Sequence, residues 1–225
     1  MNETRQPAVD GSEQRNISDR GDAEGALARG QMYALFSDLI SSPFDAEPAI
    51  AGSDFNISSL KLPYALTDFD ALLTEWRDAD STELKREYSG LFEVGSDGPP
   101  VPIREDLHLN QPAGVREDIV RFYEFFGYTL AEKFAWSPDH LSIELEFMYF
   151  LSFQEAEGQG DTLSFQLAQY DFAERHLHNW IPSLADRALQ QQPDGIYTRI
   201  LAAMSEFIDT DLTWQAGTIK QGQAS

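Results

Sequence analysis

The segment from Pro138 to Glu157 carries two apolar stripes, Leu141, Leu145 and Met148 on one face and Ile143, Phe147 and Phe150 on another. Side chains three and four positions apart share one side of a helix, so a helix bearing both stripes is apolar nearly all round. Such a helix has no face to give to water and is stable only at the centre of a packed assembly. Glu144 and Glu146 sit among these apolar neighbours. An unpaired carboxylate is costly there, so each calls for an arginine, a capping donor or a ligand.

The remaining chain supplies helices to surround this one. Met32, Leu35, Phe36 and Leu39 recur at helical spacing between Ala26 and Leu39, until Ser41-Ser42-Pro43 stops the pattern. Leu66, Phe69, Leu72, Leu73 and Trp76 mark a second amphipathic helix. Asp80, with Glu83 three residues on, is placed to cap a third that runs through Leu84, Tyr88, Leu91 and Phe92. Further helices are expected over Gly114–Phe126, Pro138–Glu157, Thr162–Trp180, Ser183–Gln191 and Gly195–Leu212, with Ser137 as the cap and Pro138 as the first residue of the central one. No strand-like alternation, internal repeat or sustained heptad interrupts them. The chain is therefore expected to be all-α, a single-domain helical bundle. Residues 1–23 are polar, acidic and glycine-punctuated and read as a disordered tail, residues 24–212 as the helical domain, and residues 213–225 as a C-terminal tail.

Bulk properties exclude several classes of function. No apolar run approaches the roughly 18 residues a membrane span requires. Glu3, Asp10, Glu13 and Asp19 stand where a signal peptide would be basic and then apolar. There are no cysteines, which excludes a disulfide scaffold and cysteine-ligated metal and fits a reducing compartment, so a cytoplasmic location is expected. The formal charge is -22, from 16 Lys+Arg against 38 Asp+Glu. That charge repels nucleic acid and anionic lipid and attracts basic segments, and it also suits a salt-rich cytoplasm.

Three clusters could carry chemistry. Tyr88, Leu91 and Phe92 project from one helical face that ends at Gly95-Ser96-Asp97-Gly98-Pro99-Pro100-Val101-Pro102, a stretch too rich in glycine and proline for helix or interior strand. An apolar face bordered by such a loop can accept a partner's helix or extended peptide, and it can equally be core. Asp139-His140 follows Trp136-Ser137-Pro138, and a helix start explains all of it except His140, since a protonated imidazole is disfavoured at a helix N-terminus. His176 and His178, two apart on a helix, point away from each other and cannot share a metal. Glu105 and His108 offer one carboxylate–histidine pair, in a loop and without the further helical pairs a bundle metal site needs. No phosphate loop, HExxH, G-x-S-x-G or cysteine nucleophile is present, so binding is favoured over catalysis, with no cofactor or metal expected. The alternatives are a helical metal-dependent hydrolase using Asp139, His140 and Glu144, or a permanent adaptor subunit.

Taken in order, these elements resemble the TorD/DmsD/NarJ family of cytoplasmic chaperones for molybdopterin-dependent oxidoreductases. The resemblance rests on Tyr88, Leu91 and Phe92, the proline loop Pro99 to Pro102, Pro138 to Leu141 with Glu146 to Met148, and His176-Leu177 with Trp180 and Pro182, and it spans about residues 26 to 212. It implies an all-helical chaperone that binds the N-terminal leader, often of twin-arginine type, of a molybdoenzyme catalytic subunit and holds it open for cofactor insertion. Carried over by position, Tyr88, Leu91, Phe92, Pro102, Asp139 and His140 would line the leader site, and Pro100, Trp136 and Glu144 complete the candidate peptide-binding set. Many members carry an acid before Pro-Asp-His where Trp136 and Ser137 stand here, which bears on leader preference. A basic-then-apolar leader complements an acidic protein with an aromatic groove. The chain is expected to be a monomer or, by helix exchange through the 94–113 loop, a swapped homodimer.

Overall fold

The computed structural model describes residues 20, 23–45, 48–67, 69–110, 114–158 and 161–223. The tail expected over residues 1–23 lies outside the described residues apart from Arg20 and Ala23. At the centre, helix α6 (Leu141–Glu157) packs along α1 (Ala23–Ile40). Leu141, Ile143, Leu145, Phe147, Met148 and Leu151 of α6 are all buried, on more than one face, but Glu146, Tyr149 and Phe153 form an exposed stripe with Phe150 half-buried beside it, so the helix keeps one face toward water where none was expected. Gly30 sets the spacing of the pair. A Cβ there would stand 3.2 Å from the Cβ of Ser152 and 3.4 Å from the Tyr149 ring, so the missing side chain is what lets α1 approach.

Helices α2 (Asp70–Asp78) and α3 (Ser81–Phe92) rest on α9 (Ile196–Gln223). Asp80 caps α3 by accepting from the backbone N–H groups of Thr82 and Glu83 at 2.9 and 3.1 Å. A short α4 (Glu105–His108) and α5 (Val115–Phe126) precede α6. Helix α7 (Thr162–Phe172) packs on α6 and widens into π-helical turns over Ala173–His178, after which α8 (Ile181–Gln191) folds onto α9. Trp180 is fully buried at this bend, and its Nε1 donates to the His176 carbonyl at 2.5 Å. Among the described residues no strand forms beyond isolated bridges, and no helix is long and apolar enough to cross a membrane.

Three local expectations are corrected. Helix α9 does not end at Leu212 but continues to Gln223, because Asp211, Gln215 and Thr218 follow one another on its inward face and are buried. Glu105 to His108, expected in a loop, forms α4. Ser137 does not cap α6, and the helix starts at Leu141 with His140 as its cap. The backbone of Asp139 and His140 is engaged in a bridge to the preceding loop, so Pro138 belongs to a turn and not to the helix.

Candidate functional site

Two backbone hydrogen bonds build the site. The Leu141 N–H donates to the Ile103 carbonyl and the Glu105 N–H to the Asp139 carbonyl, both at 3.0 Å, pairing Arg104 with His140 in an antiparallel bridge. The Val101 N–H donates to the Leu91 carbonyl at 2.9 Å. A proline loop with few donors of its own is thus pinned to the end of α3 and the start of α6. Beside it, the Ser41–Asp45 turn after α1 and the Phe134–Ser137 segment close a cavity of about 510 Å3.

Tyr88, Phe92, Pro102, Trp136 and His140 of the candidate set line this cavity together. The aromatic face of α3 is less open than the sequence suggests. Tyr88, Leu91 and Phe92 are all buried, the Tyr88 and Phe92 rings pack edge-on against Tyr197 with centroids 5.4 and 5.7 Å away, and the Tyr88 hydroxyl donates to the Ile40 carbonyl. Only part of each ring reaches the cavity, and burial raises the Tyr88 hydroxyl well above its ordinary value. Leu91 and Pro100 are placed elsewhere, on a shallow hollow shared with Gln191 and Gln192.

His140 resolves the difficulty of a histidine at a helix start. Its Nδ1 accepts from the Ser142 N–H at 3.3 Å and lies 2.8 Å from the Ser142 hydroxyl. Burial, and then the Arg104 guanidinium, pull the ring down to about 4, so it is neutral at pH 7 and accepts where a cation would meet the positive end of the helix. One edge is left for the cavity.

Asp139 lies beneath the cavity and is fully buried. One oxygen accepts from the Asp106 N–H at 3.2 Å, and the other faces Arg104 Nε at 3.5 Å and Arg116 Nε at 3.4 Å. Burial and the neighbouring Asp106 carboxyl push Asp139 up to about 6, against the pull of Arg104. Its work is to hold the two arginines, and they in turn hold Trp136. Arg104 lies over the indole at 5.7 Å, and Arg116 donates to the Trp136 carbonyl. Trp136 is left 67% exposed on the rim, a large ring fixed by its neighbours and open to a partner.

Glu144 is fully buried, and neither oxygen has a hydrogen-bond partner. Burial, then Glu105 and Asp139, raise its carboxyl well above the usual range, and it does not line the cavity. Glu105 is occupied by His176 Nδ1 at 3.0 Å, whose Nε2 meets Asp118 at 3.2 Å. Glu146, the second acid that the sequence placed among apolar neighbours, is exposed. Asp139, His140 and Glu144 therefore share no open space for hydrolysis. Among the described residues no group of three or more His, Asp or Glu is placed to hold a metal ion.

Sequence reasoning missed Phe44, Asp45, Arg104, Leu107 and Phe134, all of which line the cavity. Phe44, 56% exposed and directly after Pro43, is a single apolar side chain in a loop of a kind common on protein surfaces, so nothing local marked it.

The family model described as nitrate reductase delta subunit matches residues 59–186. Among curated proteins, the selenate reductase assembly chaperone of Thauera selenatis is 34% identical over 134 residues, covering 56% of this chain and 67% of that protein. The chlorate reductase assembly chaperone of Ideonella dechloratans is 34% identical over 133 residues with the same coverage. The perchlorate reductase assembly chaperone of Dechloromonas aromatica is 28% identical over 158 residues, covering 68% of this chain and 64% of that protein.

Proposed function

From the nitrate reductase delta subunit family, to which this chain belongs and which its resemblance to the TorD, DmsD and NarJ chaperones anticipated, we propose that it binds the N-terminal leader of a molybdopterin oxidoreductase catalytic subunit. It is a reductase assembly chaperone and not an enzyme, in keeping with its relatives. The finer reading is that the leader, of twin-arginine type, occupies the cavity between α3, α6 and the proline loop while the subunit folds and takes up its cofactor. The observation that carries it is the convergence of Tyr88, Phe92, Pro102, Trp136 and His140, from four stretches of chain, on one cavity.

A cavity of about 510 Å3 accommodates a few side chains and not a whole leader, so it would take the apolar anchors while the rest of the peptide lies across the rim. The apolar walls that Phe44, Phe92, Pro102 and Leu107 supply give affinity, polar groups such as Asp45, Arg104 and His140 lie among them, and the acidic protein around the cavity speeds the encounter with a basic segment. Calorimetry with a synthetic twin-arginine leader peptide is the test. Saturable binding that weakens in Trp136→Ala and Phe92→Ala supports the proposal, and no binding by the folded protein at low salt rejects it.

A further inference from the structure

Helix α4 is four residues long, too short to hold its own shape, yet it supplies part of the cavity wall. Arg104, its cap, and Leu107, 48% exposed, stand three apart on one side of the turn, and both line the cavity. Glu105 and His108, also three apart, share a different side and are held by residues that do not line it. Buried Glu105 meets His176 Nδ1 through Oε2 at 3.0 Å. His108 Nε2 lies 2.6 Å from the Ser183 hydroxyl, which itself donates to the Trp180 carbonyl at 2.9 Å, and the His108 and Trp180 rings are 5.5 Å apart. Both anchors belong to the bend between α7 and α8. His176 has little freedom there: the Phe172 and Phe122 rings pack on it with centroids 4.9 and 5.8 Å away, and its Nε2 meets Asp118 at 3.2 Å. It stands in the π-helical turns, a distortion that is rare in helices and frequent at functional sites.

We infer that His176 and Glu105 are positioning residues for peptide binding: neither lines the cavity, and together they hold α4 so that Leu107 and Arg104 face it. This rests on the cavity being the leader site. The Glu105 N–H on the Asp139 carbonyl and the Asp106 N–H on the Asp139 carboxylate, at 3.0 and 3.2 Å, fix where the turn begins. Its rotation is fixed by the Glu105 and His108 side chains, and a rotation about the turn carries Leu107 away from the cavity. The carboxylate–histidine spacing that looks like half of a metal site is in this reading the spacing of two anchors.

Substitution can separate the two nitrogens of His176. Asparagine carries its amide nitrogen near the place of Nδ1 and keeps a donor toward Glu105, whereas glutamine carries it near the place of Nε2 and keeps one toward Asp118. Both lose the ring contacts with Phe122 and Phe172, so both should lower the melting temperature to a similar extent. The probe is a synthetic twin-arginine leader peptide, titrated by calorimetry well below melting. His176→Asn should bind it within about threefold of the parent and His176→Gln about tenfold more weakly, as displacement of a preorganised contact predicts. Ser183→Ala, at an exposed position, frees His108 without opening the core and should weaken binding about threefold while leaving the melting temperature unchanged. Equal affinities for the two His176 variants, or tighter binding by His176→Gln, overturn the inference while the site stands. If neither His176 variant folds, undiminished binding by Ser183→Ala overturns it. Failure of the peptide to bind the unmodified protein overturns the site as well.

Discussion

Arg29 Nε donates to Asp211 Oδ1 at 2.6 Å, joining α1 to α9 across 182 residues of chain with both side chains fully buried. Tyr33 and Tyr64 donate their hydroxyls to the same carboxylate at 2.6 and 2.8 Å, Gln169 accepts from Arg29 at 2.7 Å, and the guanidinium lies 4.8 Å over Trp214. Burial alone would raise Asp211, but Arg29 and the two hydroxyls hold it below its ordinary value. Its contribution to stability is thus present above the unfolded pKa and lost as pH falls through the lower folded one. Asp211→Ala leaves the buried Arg29 guanidinium with Glu155, 3.2 Å from Nη1, as its remaining carboxylate and strips the Tyr33 and Tyr64 hydroxyls of their acceptor, so it should cost about 3 kcal/mol in urea unfolding. Arg29→Met/Asp211→Leu should cost less than Asp211→Ala alone, and equal costs would mean the charge pair is not what the site depends on.

Glu144 makes the opposite prediction. Its carboxyl is buried without a partner and its pKa is raised by burial, then by Glu105 and Asp139. The folded state keeps a proton that the unfolded chain releases above its ordinary 4.5. Stability therefore falls as pH rises from that value toward the raised one, by up to about 1.4 kcal/mol per pH unit. Glu144→Gln, similar in shape and uncharged, should flatten this slope and raise the melting temperature at pH 8 more than at pH 5. A variant that melts lower at both pH values would show that the carboxyl has an obligatory partner.

The central helix and its neighbours were legible because burial and helical period agree. Leu141, Leu145, Met148, Ile143 and Phe147 are buried where the two stripes put them. Asp80 was legible as a cap because its partners are local in sequence. Less legible was whatever depends on a partner distant in the chain. Tyr88 and Phe92 read as an open face because Tyr197, which covers them, is about a hundred residues on. His140 as a cap depends on a bridge to Arg104, and the part of the cavity wall that Phe44 and Asp45 supply depends on the turn after α1. One long-range feature did leave a trace. Arg29 precedes Met32 and Phe36 by three and seven residues, and a charge on an apolar stripe implies a buried counter-charge without naming it.

His140 should set an acid limit on stability. Its folded pKa of about 4 lies below the ordinary 6.5, so the unfolded chain binds a proton first and stability falls as pH drops from 6.5 toward 4, by roughly 3 kcal/mol at most. His140→Asn keeps an acceptor at the cap of α6 and removes the titration, so its stability between pH 7 and 5 should vary less than that of the parent. His140→Ala loses the cap as well and should cost about 0.5–2 kcal/mol at pH 7. Identical pH profiles for the parent and His140→Asn would place the acid sensitivity elsewhere.

Trp136 and Leu91 separate recognition from folding. Both belong to the candidate peptide-binding set, yet Trp136 is 67% exposed on the rim and Leu91 is 2% exposed in the core. Trp136→Ala removes a ring that the folded domain barely buries, so unfolding free energy should change by no more than about 0.5 kcal/mol. The same ring, held by Arg104 and by Arg116 at its carbonyl, is a preorganised anchor, and its loss should weaken leader binding at least tenfold, about 1.4 kcal/mol. Leu91→Ala opens a cavity under Phe92 and Tyr88 and should cost about 2–5 kcal/mol of stability. Measured by calorimetry well below its melting temperature, it should bind the leader within about twofold of the parent, since Leu91 lines the shallow hollow with Pro100 and not the main cavity. If Leu91→Ala loses binding while Trp136→Ala retains it, the leader lies in the hollow beside Gln191 and the main cavity is not its site.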